Sequence, residues 1–243
     1  MAYNYHKINT IFQRDPSRKN IILENSFSEE IFRVLKDVKW EATEKVDGTN
    51  SNIVFNFSED GTRTYQILGH KEVSQLPKAL TAVLNDIARN IDTTIFSKTD
   101  SEGKTTYPKS VTLHGEGYGA GIQGIGKHYR QDQGFILFDV SIDTGSQVIW
   151  LQRDSVEDIA KKCNLQVVPI VGHYTLYEAT ELVSKGFSSR VSNEPLASEG
   201  VILRAPCGIL DRMGKRIITK LKTCDFVKYR AKTGMDFDFS YLK

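Results

Sequence analysis

No stretch of this chain is long, apolar and uncharged enough to span a membrane, and residues 1–10 lack the order of a secretory signal. We therefore expect a cytoplasmic protein with no membrane partner, the cytoplasm being that of a host cell if the source is viral. Cysteine is scarce, with Cys163, Cys207 and Cys224 widely spaced and odd in number. That pattern excludes a disulfide framework and a cysteine-built zinc site, and it suits a reducing compartment. An excess of one charge is missing too. The 32 Lys and Arg against 30 Asp and Glu leave +2, which marks no nucleic-acid partner but permits a local basic patch. Internal repeats, low-complexity tracts and Pro-rich or Ser-rich linkers are absent. The 243 residues are enough for one large core or two small ones.

What is present reads as α+β. Ser26 with Glu29 has the form of a capping box ahead of Ile31, Val34, Leu35 and Val38. Leu80, Val83, Leu84 and Ile87 make one helical stripe. Asp154 precedes a third helix with Val156, Ile159 and Ala160 inward, and Thr175 opens a fourth that ends near Gly186. Short apolar or alternating runs at 51–57, 65–68, 110–114, 135–140, 148–151, 201–204 and 217–222 read as strands. They outnumber the helices and do not alternate with them, so mainly antiparallel sheets are expected. The polar stretch 97–109, with Gly103 and Pro108, is the loosest segment.

Two short motifs fail on context. Gly119-Ala120-Gly121-Ile122-Gln123-Gly124 fits the dinucleotide-binding pattern, and 121–127 is nearly a phosphate-binding loop. Both need a helix whose N-terminus faces the phosphates, and no apolar stripe follows. His128 also stands where a hydroxyl should meet magnesium. Six glycines within 115–126 match short patterns by chance, and a mobile glycine-rich surface loop is the plainer reading.

A constellation spread along the chain carries more. Lys45-Val46-Asp47-Gly48-Thr49-Asn50 precedes a strand. A lysine that attacks phosphorus must be held still and partly deprotonated, and nearby cations or burial favour that. Gly48 allows close approach to a ligand, and Thr49 and Asn50 offer short polar groups. Alone, this is as well read as an Asp-Gly turn. His114-Gly115-Glu116-Gly117 sets a carboxylate at a strand end, flanked by glycines. The 135–140 strand delivers Phe138 and Asp139 side by side, and Glu199 opens another apolar strand. The pleat of 217–222 puts Ile218, Lys220 and Lys222 on one face. Each piece alone fits core, strand end or solvated face; together they supply the cations and carboxylates that an ATP–Mg²⁺ site requires.

In this order the pieces resemble motifs I, III, IIIa, IV and V of the ATP-dependent polynucleotide ligase and capping-enzyme superfamily, nearest its RNA ligase 2-like, phage-type branch. The resemblance runs from about Glu44 to Lys222. It implies a nucleotidyltransferase fold, an ATP-grasp-like ligase adenylation fold of antiparallel sheets flanked by helices, with ATP in a groove. Residues 1–243 would be a single adenylyltransferase domain, monomeric, with 223–243 a short C-terminal extension and no C-terminal OB barrel. It implies Lys45 as the adenylylated nucleophile, with Asp47 in the catalytic set and Glu44 beside adenine. Asn50 would meet phosphate or ribose, and Glu116 ribose or a metal-bound water. Phe138 would stack on the base, supported by Asp139. Glu199 would assist metal and nucleophile, so that Glu116 and Glu199 serve Mg²⁺ or Mn²⁺, while Lys220 and Lys222 hold the α-phosphate. Relatives usually carry an arginine for the 5′-phosphate end; here Leu68-Gly69-His70-Lys71-Glu72 stands there, leaving that task to His70 or Lys71.

The implied activity is sealing of 5′-phosphate and 3′-hydroxyl ends, with RNA or DNA ends as partners. An RNA ligase is the first reading. A minimal DNA ligase and a non-catalytic nucleotide-binding or nucleic-acid-binding relative stay open. A capping guanylyltransferase would need the barrel. The aromatic and basic segment 225–243 is expected to pack on the core.

Overall fold

The computed structural model describes residues 5–70 and 75–243. The chain forms two compact units, one of residues 47–168 with Tyr5, the other of 6–46 and 169–243. It begins in the latter with β1 (Phe12–Asp15), β2 (Ile21–Phe27), α1 (Glu30–Val34) and β3 (Trp40–Glu44). The former unit follows with β4 (Thr49–Phe57), β5 (Arg63–Leu68), α2 (Lys78–Asn90), β6 (Lys98–Thr99) and β7 (Thr105–Thr106). It continues through β8 (Ser110–Gly119), α3 (Gly126–Tyr129), β9 (Gln133–Asp143), β10 (Val148–Trp150), α4 (Arg153–Lys162) and β11 (Gln166–Val167). The chain returns with β12 (Ile170–Tyr174), α5 (Leu176–Lys185), β13 (Gly200–Arg204), β14 (Ile218–Lys222) and α6 (Thr223–Thr233).

In the 47–168 unit the strand order is β10-β9-β8-β4-β5, all antiparallel, with β11 added in parallel to β9. Strand alternation sorts the faces. Ile53, Phe55, Val111, Leu113, Phe135 and Leu137 pack with Leu80 and Leu84 of α2 and Val156 of α4. Asn52, Thr112, His114, Asp139 and Ser141 are polar and also buried. The glycines of β8 belong to this packing. A Cβ on Gly117 would lie 2.3 Å from Leu80, one on Gly115 2.3 Å from the Phe135 ring, and one on Gly48 2.3 Å from the Gly117 carbonyl. The expected mobile loop is therefore, over its first half, a buried strand. The close approach made by Gly48, Gly115 and Gly117 is to protein.

In the other unit the antiparallel order is β12-β3-β13-β14, beside the β1–β2 hairpin. Trp40, Ala42, Val201, Leu203 and Leu221 form its core with Leu176, Ala179 and Val183 of α5 and Phe226 and Tyr229 of α6. Phe237 and Leu242 join the same core, so the C-terminal segment packs as expected.

The four expected helices exist, but two start signals were misassigned. Ser26 lies within β2, α1 begins after Glu29 with no side-chain cap, and Val34 is exposed. A reciprocal capping box stands at α5, where the Thr175 hydroxyl accepts from the Glu178 N–H and the Glu178 carboxylate from the Thr175 N–H. Asp154 sits inside the first turn of α4 rather than before it. The segment 97–109 carries the short β6–β7 hairpin. Thr175→Ala should lower stability by about 1 kcal/mol in denaturant unfolding, the worth of a lost N-cap, whereas Ser26→Ala should change it by less than about 0.5 kcal/mol.

Candidate active site

The lysine–carboxylate cluster lies in the unit of 6–46 and 169–243. Glu199 reaches Lys45 Nζ through Oε2 and Lys222 Nζ through Oε1, both at 2.6 Å. Backbone bonds hold this arrangement. The Lys45 N–H donates to the Gly200 carbonyl at 2.9 Å, and the Thr223 N–H to the Glu199 carbonyl at 2.9 Å. Gly200 has φ +150 and pairs with Lys222, and a Cβ there would lie 2.0 Å from the Leu221 carbonyl, so only glycine allows the chain to turn from Glu199 into β13. In β14 register, Ile218, Lys220 and Lys222 stand opposite Arg204, Ile202 and Gly200, on one face as the pleat requires.

Among the described residues Lys220 has no ion-pair partner. Burial, then the charges of Lys222, Lys45 and Arg14, lower its pKa below the usual lysine value against the pull of Glu199. At Lys222 burial also acts downward, but the bond to Glu199 and its charge outweigh it and the pKa is raised. Neighbouring lysines thus differ, one held as a cation and one poised to lose its proton more readily.

Glu44 stands opposite Val201, whose side chain is in the helix-covered core, while Lys220 and Lys222 take the other face of the sheet. Its carboxylate accepts from Ser189 Oγ at 2.5 Å and from the Arg190 N–H at 2.7 Å, and burial raises its pKa despite both bonds. An adenine contact from Glu44 would have to come from a group already holding the 189–190 turn.

The boundary between units falls within the first motif, between Val46 and Asp47. Asn50, Glu116, Phe138 and Asp139 belong to the 47–168 unit. Asn50 stands directly opposite Glu116 in the β4–β8 ladder, so their side chains share a face, the one opposite Gly115 and Gly117. Asn52 and His114 form the next pair on that face. Phe138 is the extra residue of a β-bulge, since Asp139 pairs with His114 and Leu137 with Gly115. A regular strand would send Phe138 and Asp139 to opposite faces; the bulge lets both meet Tyr5. The Tyr5 hydroxyl donates to Asp139 Oδ2 at 2.6 Å, and its ring meets Phe138 edge-on at 5.2 Å. The Asp47 N–H donates to the Tyr129 hydroxyl at 3.3 Å.

The RNA ligase family model matches residues 38–222, more than half of the chain and all five motifs. The chain belongs to the RNA ligase family. No curated protein sequence matches it. Among solved structures it is similar to Naegleria gruberi RNA ligase with pyrophosphate, at 17% identity and TM-score 0.56, covering 96% of this chain and 63% of that one. A lysine-to-alanine variant of the same ligase with ATP and Mn gives 16%, 0.54, 96% and 63%. A lysine-to-methionine variant with AMP and Mn gives 16%, 0.55, 95% and 63%. At this identity the likeness is one of fold, a mixed α/β architecture dominated by antiparallel sheets. The chain spans less than two thirds of the length of these ligases.

For this RNA ligase family member, two contributors were not found from sequence. Arg14 of β1 forks onto both oxygens of buried Asp225, at 2.6 and 3.1 Å, and its charge acts on Lys220. Tyr5 is one of two tyrosines in a polar terminus. Neither carries a local pattern, because partners 211 and 134 residues away define them. His70 is exposed just past β5, and Lys71 lies outside the described residues. Among the described residues no group of three or more His, Cys, Asp and Glu could hold a metal ion, and both Glu199 oxygens are engaged by lysines. The residues fit a magnesium-type ion only where phosphate oxygens and water supply most of its ligands.

A half-buried, unpaired cation such as Lys220 costs stability, so Lys220→Met should raise the denaturation midpoint at neutral pH. The lowered pKa sets the pH window. The parent's penalty is full while Lys220 is protonated in the fold, and it fades as pH rises through the lowered value toward 10.5. The difference in midpoint between variant and parent should therefore shrink across that alkaline range.

Proposed function

We propose that this chain is an ATP-dependent RNA ligase that seals 5′-phosphate and 3′-hydroxyl ends through a lysyl-AMP intermediate. The observation that carries the proposal is the Glu199 carboxylate held between Lys45 and Lys222, with Lys220 beside them and of lowered pKa. Membership of the family, and the ATP, AMP, pyrophosphate and Mn with which the Naegleria ligase structures were solved, support the same reading. Residues 1–243 act as one adenylyltransferase domain of the nucleotidyltransferase type, and residues 223–243 complete its core.

Lys45 is the nucleophile. Its Nζ forms a bond to the α-phosphorus of ATP, the bond from that phosphorus to the bridging oxygen breaks, and pyrophosphate leaves with the electron pair. The proton lost from Nζ has an acceptor within reach in Glu199 Oε2. Lys220 and Lys222 offset charge on the transferring phosphate. Asp47 orients the turn after Lys45. Asn50 meets phosphate or ribose, Glu116 would meet ribose or a metal-bound water, and Phe138, kept in place by Asp139 and Tyr5, stacks on adenine. Glu44 holds the 189–190 turn and borders the base. A Mg²⁺ or Mn²⁺ ion, carried mainly by phosphate oxygens with Glu116 or Glu199, would further offset that charge. AMP then moves from Lys45 to the 5′-phosphate of an RNA end, and a 3′-hydroxyl displaces it to seal the strand.

Incubation with α-labelled ATP followed by denaturation should give a labelled protein, and Lys45→Ala should give none while melting like the parent. Labelling of the variant at the parent's rate would remove Lys45 from this role. For the 5′-phosphate we assign Lys71 with His70, because a doubly charged end needs a cation. Lys71→Ala should leave the adduct intact but slow AMP transfer to 5′-phosphorylated RNA, with the loss growing as salt rises. Sealing at the parent's rate would move that task elsewhere.

A further inference from the structure

The face of the 47–168 sheet that carries Asn50 and Glu116 also holds a buried chain of hydrogen bonds. Asn52, His114 and Ser141 are each at most 2% exposed. Asn52 Nδ2 lies 2.9 Å from Asn50 Oδ1 and 3.2 Å from the Gly69 carbonyl. A backbone carbonyl can only accept, so this end of the Asn52 amide is the NH₂ group. Its Oδ1 therefore faces His114 Nδ1 at 2.7 Å and requires a proton there. His114 Nε2 then accepts from the Ser141 hydroxyl at 2.9 Å. The ring is fixed in plane as well, stacked on Trp150 at 4.9 Å and met by Tyr5 at 5.3 Å.

Each bond in this series sets the direction of the next. With Nδ1 protonated, Asn52 cannot flip, because its oxygen would then face the Gly69 and Asn50 oxygens. With Asn52 fixed, Asn50 Oδ1 is occupied, and the group that Asn50 has left to offer is its own NH₂. An NH₂ is a donor and selects an oxygen acceptor, such as that of a phosphate or a ribose hydroxyl. The second Asn52 hydrogen holds the Gly69 carbonyl, one residue before His70.

We propose that His114, acting through Asn52, is the positioning residue that turns Asn50 to present a donor to the nucleotide, and that the same amide anchors the backbone leading to His70. The assignment rests on the ligase reading above, since Asn50 is there given the nucleotide. In this site His114 has no need to touch the substrate. It chooses the polarity of a side chain two hydrogen bonds away.

The test compares two replacements of His114. Asparagine places an amide NH₂ near the position of Nδ1, and glutamine places its amide near Nε2. If His114 only fills space, the smaller asparagine should do no better than glutamine. If it positions Asn50, His114→Asn should form the Lys45 adduct within about threefold of the parent at low ATP, and His114→Gln should be slower by about tenfold or more, chiefly through KM for ATP. Asn50→Asp keeps the acceptor for Asn52 but turns the offered donor into an anion. It should lose at least as much as His114→Gln, and adding His114→Gln to it should cost little more. Should His114→Gln fail to fold, Asn50→Asp and His114→Asn carry the comparison. Equal KM in the asparagine and glutamine variants, or parental KM in Asn50→Asp, overturns the positioning role while the adduct itself still stands. Absence of any adduct in the parent overturns the ligase reading and this inference together.

Discussion

Lys45 Nζ and Lys222 Nζ each lie 2.6 Å from a different oxygen of one carboxylate, that of Glu199, and Lys220 adds a third cation from the same strand face as Lys222. Without Glu199 these ammonium groups would be left with no carboxylate between them, and like charges repel. The rest of the 6–46 and 169–243 unit can be understood as support for this balance. Gly200 turns the chain so that Glu199 reaches both lysines, β13 sits between β3 and β14 so that Lys45 and Lys222 arrive from either side, and Arg14 keeps Asp225 neutralised nearby. A phosphate entering such a place meets cations already assembled, at a cost in stability met when the chain folded.

The other unit solves a different problem, that of placing polar groups on one face of a sheet whose opposite face is core. The run His114-Gly115-Glu116-Gly117 shows how. His114 and Glu116 face the polar side, while Gly115 and Gly117 face Phe135 and Leu80 and leave no room for a Cβ. The glycines let the core press close behind the site, which keeps the polar residues from shifting.

Much of this was legible in the sequence where chemistry and spacing are local. Lys45, Asn50, Glu116, Phe138, Glu199, Lys220 and Lys222 stand out because each is in or next to a run that reads as a strand, and the pleat alone puts Lys220 and Lys222 together. Strand β3 was not legible: Trp40-Glu41-Ala42-Thr43-Glu44 mixes acids with apolar residues, and the burial of Glu44 depends on Ser189 and Arg190, about 145 residues on. The capping signal at Ser26 was overridden by strand pairing of β2 with β1, whereas Thr175 had no such competitor. Tyr5 and Arg14 act through partners that only the folded chain supplies.

The bulge at Phe138 has a wider consequence. On one side of it β9 is in phase with Gly115 and on the other with His114, one residue out of step. Strand β9 is thus spliced from two rulers. The ladder would close without Phe138, since the pairs flanking it are already in place, and keeping that residue bends and twists the strand at this point. What the spliced strand gains is a place where two consecutive side chains, the Phe138 ring and the Asp139 carboxylate, reach the same tyrosine.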